Sequence, residues 1–292
     1  MLRRLPELVD LADLTTIEQP NWCPGCGNFP IWHALKSAII ELGIDPFNVT
    51  IFSGIGCSSK MPHWINTYGF HTIHGRPLPV ATGARLANTD LTVVAVGGDG
   101  DGYGIGIGHF IHAMRRNLNI TYLVTNNQVY GLTTGQTSPT SDRGFSSKST
   151  PTGVIEVPIN PIALAIASNA TYISRGFSKE LNHLTQLIVD GIRHEGFALI
   201  DVLQPCVTFN RKNTYKWFSE RIYKLEDTNH DITSKQAAFQ KSLEWNNHIP
   251  IGIFYEETRP TYENELPQIA ETPLAKQEIQ DIDITSVMAE FF

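Results

Sequence analysis

The sequence predicts an α/β fold: a parallel sheet with helices on both faces. Three observations predict it. Strand-like and helix-like segments alternate along most of the chain. Two of the strands, 91–96 (LTVVAV) and 120–125 (ITYLVT), are near-continuous apolar runs of the kind buried on both faces. A glycine-rich segment follows the first of these and leads into a helix, where open α/β sheets place their ligands.

The elements follow in order. Ile31, Ala34, Leu35, Ala38, Ile39 and Leu42 recur at helical spacing, and Gly43 ends that helix. Residues 48–53 (NVTIFS) read as a strand closed by Gly54 and Gly56. A helix over 78–88 precedes the strand 91–96, and a helix over 105–116 precedes the strand 120–125. The pairs 161–168 with 171–174 and 179–194 with 197–203 (FALIDVL) continue the alternation. Residues 132–160 carry Thr, Ser, Gly and Pro with little periodicity, and a loop of that length in a compact domain is usually functional. Beyond Gln204 the pattern loosens to one helix (233–245), one strand (249–255) and a polar tail. The predicted organisation is one α/β domain over 1–206 and an extension over 207–292 that wraps on the core or on a partner.

Composition narrows the function. The chain has 292 residues, of which 41% are hydrophobic and 17% charged, with a formal charge of −7. It is too apolar to be disordered and too acidic to bind nucleic acid by phosphate neutralisation. No apolar run reaches the roughly 20 residues that cross a bilayer. The start, MLRRLPELVDLADL, lacks the apolar core of a signal peptide. A soluble cytoplasmic protein is expected, without membrane or nucleic-acid partners. The low charge content suggests that a protein partner covers part of the surface.

The glycine-rich segment reads GGDGDGYGIG over 97–106, with five glycines between Gly98 and Gly106 and aspartates at 99 and 101. Glycines let the backbone approach a ligand closely, and helix N-termini attract phosphate. A phosphate loop would carry Lys and Ser/Thr. This one carries carboxylates, which sit beside phosphate when a hard cation such as Mg²⁺ lies between them. The strand 120–125 ends at Asn126-Asn127, where an amide oxygen can join the same ion. Asp101 is equally suited to capping the following helix.

Gly98-Asp99-Gly100 followed after 25 residues by Asn126-Asn127 resembles the signature of thiamine-diphosphate enzymes. That resemblance implies Mg²⁺ held by Asp99, Asn127 and the carbonyl of Val129, with the ion holding the diphosphate.

The four cysteines are Cys23 and Cys26, paired as Cys-Pro-Gly-Cys, with Cys57 and Cys206. Core thiols, a structural zinc and a [4Fe–4S] cluster compete, and spacing alone leaves the last two level. A wider match separates them. WCPGCGN, SGIGCSSKMPH, HTIHGRPLPVATG, GGDGDGYGIGIGHF, NNQVYGLTTGQTSPT and DVLQPC resemble, in order over roughly 20–255, the β subunit of 2-oxoacid:ferredoxin oxidoreductases.

The resemblance implies a thiamine-diphosphate-binding fold of the pyrophosphate-binding type. Its activity would be coenzyme A-dependent oxidative decarboxylation of 2-oxoacids, with electrons leaving for ferredoxin through a [4Fe–4S] cluster on Cys23, Cys26, Cys57 and Cys206. Its cofactor-binding set is Gly56, Cys57, Ser58, His74, Gly98, Asp99, Gly100, Asp101, Asn127, Val129, Gly131 and Leu132. Lys60 and Arg76 are candidates for meeting the substrate carboxylate. Apolar Leu132, where pyruvate-specific relatives carry Asn, leans toward 2-oxoglutarate or a broad range. Histidine as a residue type can serve as acid or base near neutral pH, which makes His71 and His74 candidates, yet neither is assigned chemistry. His109 and His112, one turn apart, are expected to be packing residues on a buried helix.

The family's cofactor-activating glutamate comes from the α subunit. Glu41 and Glu156 are poor substitutes, so the chain alone should be inactive. Two other readings differ in class: a non-redox thiamine-dependent decarboxylase subunit with structural cysteines, and a zinc-stabilised interaction protein.

Overall fold

The protein is described by a computed structural model over residues 9–278, 280 and 282–292. The N-terminal reading above falls largely on residues 1–8, outside the described residues. No described helix is long and apolar enough to cross a membrane.

The elements are α1 (Asn28–Glu41), β1 (Val49–Ser53), β2 (Tyr68–His71), α2 (Pro77–Ala87), β3 (Thr92–Gly98), α3 (Ile107–Arg116) and β4 (Ile120–Asn126). A short hairpin, β5 (Val129–Tyr130) and β6 (Gln136–Thr137), precedes α4 (Pro161–Ala167), β7 (Tyr172–Phe177), α5 (Leu181–Arg193) and β8 (Phe197–Leu203). The chain then forms α6 (Tyr215–Ser219), β9 (Ile222–Lys224), α7 (Lys235–Ser242) and β10 (Ile249–Glu256).

Eight strands make one sheet in the order β2-β1-β3-β4-β8-β7-β10-β9. Every pairing is parallel except that of β10 with β7. Strands β4 and β8 are buried at every position, as their unbroken apolar runs require. Two apolar layers flank the sheet. One gathers Phe52, Val93, Phe110, Tyr122 and Phe197; the other gathers Ile31, Leu35, Val94, Leu123 and Ile188. Phe110 sits at the centre of the first, with its ring 5.3 Å from Tyr103 and 6.0 Å from Tyr122. Truncating such a ring costs roughly 3–5 kcal/mol.

Side-chain caps define several helix starts. Asn160 Oδ1 accepts from Ala163 N at 3.1 Å, with Pro161 at the first helical position. Ser234 caps α7 in the same way, which starts that helix later than periodicity alone places it. Helix α3 ends on Asn117 in the left-handed conformation (φ 55°).

Three sequence-based expectations need correction. The helix predicted from 105 starts at Ile107, because Gly100–Ile105 form a π-helical turn kinked at Gly104. Helix α3 has a wet outer face, so His112 is exposed and His109 half-buried where packing was expected. The segment after 206 is more than a wrapping: β9 and β10 extend the sheet beyond β7.

The chain runs outward from β1 to β2, then returns to lay β3 and β4 on the other side of β1. The order therefore reverses between β1 and β3. A crevice outside the carboxyl ends of the strands at such a point is where open α/β sheets bind ligands.

Candidate active site

The loops leaving β1, β3 and β4 meet over that crevice. Their backbones come close enough to require glycine. A Cβ on Gly54 would lie 1.9 Å from Asp101 Oδ2, and one on Gly100 would lie 2.1 Å from the Tyr130 ring. The glycine-rich segment thus serves close approach, as the sequence implied.

The loops enclose a cavity of about 210 Å³. Its wall holds all twelve residues of the predicted cofactor set: Gly56, Cys57, Ser58, His74, Gly98, Asp99, Gly100, Asp101, Asn127, Val129, Gly131 and Leu132. Lys60 and Arg76 lie outside this wall. Arg76 is exposed and turns to His109, its Nη1 meeting the ring Nε2. Lys60 Nζ donates to Asn21 Oδ1 at 3.3 Å and lines a different cavity.

The two carboxylates have different surroundings. Asp99 is 1% exposed, and its Oδ2 accepts from Ser138 Oγ and Thr140 Oγ1, each at 2.5 Å. Burial pushes its carboxyl up to about 6, against the pull of those hydroxyls. Asp101 caps no helix. Its Oδ1 accepts from Ile55 N (2.9 Å), Gly75 N (2.8 Å) and His74 Nδ1 (2.8 Å), so one oxygen ties the β1 loop to the segment before α2. Burial raises its carboxyl as well. On the third loop, Asn127 Oδ1 accepts from Val129 N at 3.1 Å while Nδ2 donates to Gln204 Oε1 at 2.9 Å. Its neighbour Asn126 turns the other way, donating to Asp201 Oδ1 at 3.1 Å.

A second cavity of about 210 Å³ holds Cys23, Cys26, Cys57 and Cys206, with Lys60 beside them. All four thiols are free. A Cβ on Gly131 would stand 3.6 Å from Cys206 Sγ and 3.7 Å from Cys57 Sγ, so the end of β5 lies against both. Burial pushes the Cys26 thiol up to about 12, and the other three thiols reinforce that. Burial raises Cys57 too. Trp22 Nε1 donates to Cys57 O at 2.7 Å, and Gln204 Nε2 donates to Pro205 O at 2.9 Å and Cys26 Sγ at 3.4 Å. Among the described residues, no three or more His, Cys, Asp or Glu side chains close on a single ion. Thiolates of a cubane cluster each bind a different iron, so they stand further apart than ligands of one ion.

The two cavities share Cys57, Asn127, Gly131 and Leu132 as a common wall. Sequence reasoning missed the residues that hold this wall and its carboxylates in place. Ser138 and Thr140 lie within GQTSPT and Gln204 within DVLQPC, both segments whose resemblance was clear while the work of those side chains was not.

Comparison with known proteins agrees with this geometry. Residues 54–202 match the family model of the thiamine pyrophosphate enzyme C-terminal TPP-binding domain. Residues 206–271 match the family model for the C-terminal part of the pyruvate ferredoxin oxidoreductase β chain. The chain is 49% identical over 262 residues to the 2-oxoacid:ferredoxin oxidoreductase subunit beta of a Sulfolobus species, covering 84% of this chain and 85% of that one. It is 49% identical over 269 residues to subunit beta of 2-oxoacid:ferredoxin oxidoreductase 1 of Aeropyrum pernix, covering 88% and 85%. A solved 2-oxoglutarate:ferredoxin oxidoreductase from Magnetococcus marinus, with 2-oxoglutarate, coenzyme A and succinyl-CoA bound, superposes with a TM-score of 0.89. That match has 36% identity and covers 99% of this chain and 97% of the other. With the thiamine-pyrophosphate domain, the C-terminal model and relatives aligned over most of their length, the chain belongs to the β-subunit family of the 2-oxoacid:ferredoxin oxidoreductases.

Proposed function

We propose that this β subunit holds thiamine diphosphate through Mg²⁺ in the first cavity and a [4Fe–4S] cluster in the second. The complex would carry out coenzyme A-dependent oxidative decarboxylation of 2-oxoacids with ferredoxin as acceptor. The shared wall carries this reading. A cofactor cavity and a four-thiol chamber that meet at Cys57 and Leu132 make sense when electrons cross between them, and a non-redox decarboxylase has no use for that arrangement.

The residues fit both groups. Asp99 is a buried carboxylate on the cavity wall, and a carboxylate oxygen is the hard donor that Mg²⁺ takes. Asn127 and the Val129 carbonyl supply further hard oxygens on the same wall. Cys23, Cys26, Cys57 and Cys206 supply the four thiolates a [4Fe–4S] cluster takes, and burial of Cys26 means that loading releases its proton. Thiamine diphosphate, when bound, supplies the nucleophile and electron sink for breaking the bond between the carboxyl and keto carbons. The chain's own part is placement. Asp99, with Ser138 and Thr140 behind it, fixes the metal end; the Asp101 bridge holds the loops that close the cavity; Gln204 braces both Asn127 and Cys26.

No glutamate lines the cofactor cavity among the described residues. Glu41 closes α1 and Glu156 lies in the long loop, and both side chains are exposed. We assign the activating carboxylate to the α subunit, which leaves this chain inactive alone. Lys60 lines the thiol cavity and not the cofactor cavity, so a substrate carboxylate would meet it only through a change of its side-chain direction, while Leu132 on the shared wall would bear on which 2-oxoacid enters.

Anaerobic reconstitution with iron and sulfide tests the reading. The expected product is brown, with about four irons per chain and broad absorption of a thiolate-ligated cluster. Reduction of a low-potential dye should require coenzyme A, a 2-oxoacid and the coexpressed α subunit. A colourless, zinc-loaded protein, or full activity without the partner, would overturn it.

A further inference from the structure

One side chain, Gln204, joins a residue of the cofactor-cavity wall to one of the four thiols. Its Oε1 accepts from Asn127 Nδ2 at 2.9 Å, and its Nε2 donates to Pro205 O at 2.9 Å and to Cys26 Sγ at 3.4 Å. The carbonyl oxygen and both amide hydrogens are thus used inside the protein. Gln204 is fully buried, and Gly27 makes room for it: a Cβ on that glycine would stand 2.8 Å from Gln204 Cγ.

The direction of these bonds is set by the backbone. Val129 N donates to Asn127 Oδ1 at 3.1 Å, which turns Asn127 Nδ2 toward Gln204. That nitrogen only donates, so it meets the Gln204 oxygen, and the Gln204 NH₂ faces the Pro205 carbonyl and the Cys26 sulfur. Reversing the amide would set donor on donor at one end and oxygen on oxygen at the other. The Asn28 backbone gives Cys26 a second hydrogen bond.

Two physical effects act along this line. An N–H donated to a cluster thiolate stabilises the reduced, more negative form, and hydrogen bonds to the sulfurs help to set a cluster's potential. Groups hydrogen-bonded in series also polarise one another. With a cation on its Oδ1, Asn127 becomes a stronger donor through Nδ2, and Gln204 in turn becomes a stronger donor to Cys26. Occupancy at Asn127 then favours reduction at Cys26, and by reciprocity reduction at Cys26 favours occupancy at Asn127.

On the metal and cluster assignment proposed above, we infer that Gln204 is a positioning residue that couples the two sites. It holds up the reduction potential of a cluster on Cys26 and ties that potential to occupancy at Asn127.

The experiment uses the assembled, reconstituted complex and an EPR-monitored redox titration, run with and without Mg²⁺ and thiamine diphosphate. Gln204→Met keeps the length of the side chain and has no N–H to donate. Its cluster should be about tenfold harder to reduce, a fall of about 59 mV for one electron. The change in reduction equilibrium on adding Mg²⁺ and thiamine diphosphate should also differ at least threefold between parent and variant. The charge of the bound cofactor acts through space on both proteins alike, so that difference isolates Gln204. Should the variant not assemble, the parent decides alone: with its glutamine side-chain nitrogens isotopically labelled, the reduced cluster should show a nitrogen hyperfine coupling. An unchanged potential in a variant carrying both groups, or no coupling in the labelled parent, overturns the role of Gln204 and leaves the cofactor assignment standing. A parent complex that takes up no cluster or no thiamine diphosphate overturns that assignment, and the coupling with it.

Discussion

The His74 ring donates from Nδ1 to Asp101 Oδ1 across 2.8 Å, on an oxygen that also takes the Ile55 and Gly75 backbone N–H groups. This bond orients the His74 ring, and it joins two loops that both wall the cofactor cavity. Asp101→Ala strands three donors in a buried place. Unfolding free energy should fall by roughly 2–4 kcal/mol, and Mg²⁺-dependent affinity for thiamine diphosphate at least tenfold. Denaturant titration and calorimetry measure the two. Unchanged cofactor affinity in a folded variant would deny the bridge any role in shaping the cavity.

Burial makes Asp99 a source of pH-dependent stability. Its folded pKa of about 6 lies above its ordinary value of 3.8, with burial as the main cause. Its favourable contribution is therefore full below pH 3.8 and is lost as pH rises through about 6. At pH 7.5 the metal-free protein carries an ionised, desolvated carboxylate that costs up to about 3 kcal/mol. Asp99→Asn removes that charge and keeps an oxygen for Ser138 and Thr140. The metal-free variant should be more stable than the parent at pH 7.5, with little difference at pH 4, and should show no Mg²⁺-dependent binding of thiamine diphosphate. Tight binding by the variant would overturn the metal assignment.

The sequence carried much of this site because its residues are adjacent in the chain and constrained by close approach. Gly98-Asp99-Gly100 and Asn127 could be read since strand ends deliver them to one crevice. Arg76 illustrates the limit. Its motif neighbours His74 and Gly75 reach Asp101, yet its own side chain leaves the cavity for His109 on α3, a contact 33 positions away. The π-helical turn before α3 was also hidden, because apolar periodicity is shared by helices whose hydrogen bonds differ by one residue. The C-terminal strands were legible as apolar runs, whereas their place in the sheet depends on β10 lying antiparallel to β7. The link made by Gln204 left no signal in the sequence, since Asn127 and Cys26 lie 77 and 178 positions from it.

Gly100 and Tyr130 form a pair that can be tested together. The Tyr130 hydroxyl donates to Gly100 O at 3.1 Å, and its ring occupies the space a Gly100 Cβ would need. Gly100→Ala should therefore displace the loop that presents Asp99 and reduce cofactor affinity more than tenfold. Tyr130→Ala clears the space. The double variant should recover affinity relative to Gly100→Ala alone, a non-additivity that direct contact produces. Strict additivity would mean that the alanine acts through backbone conformation instead of through this clash.

A different histidine sets the acid limit of the fold. His194 is 8% exposed and held down to about 4, chiefly by burial. Its Nε2 donates to Thr171 Oγ1 at 2.8 Å, and that hydroxyl passes its own hydrogen to Asn117 Oδ1 at 2.7 Å. Asn117 in turn ends α3 and donates to the carbonyls of Arg259 and Pro260, both at 3.1 Å, so the neutral ring anchors a network reaching the C-terminal segment. Between pH 6.5 and about 4 the unfolded chain binds a proton here that the folded chain refuses. Stability from this group is therefore present above pH 6.5 and lost as pH falls toward 4, by about 2 kcal/mol at pH 5. His194→Gln keeps a donor for Thr171 and cannot be protonated. Urea titrations at pH 7.5 and 5 should show the parent losing about 2 kcal/mol more than the variant over that interval. An identical acid loss in both would place the sensitivity outside His194.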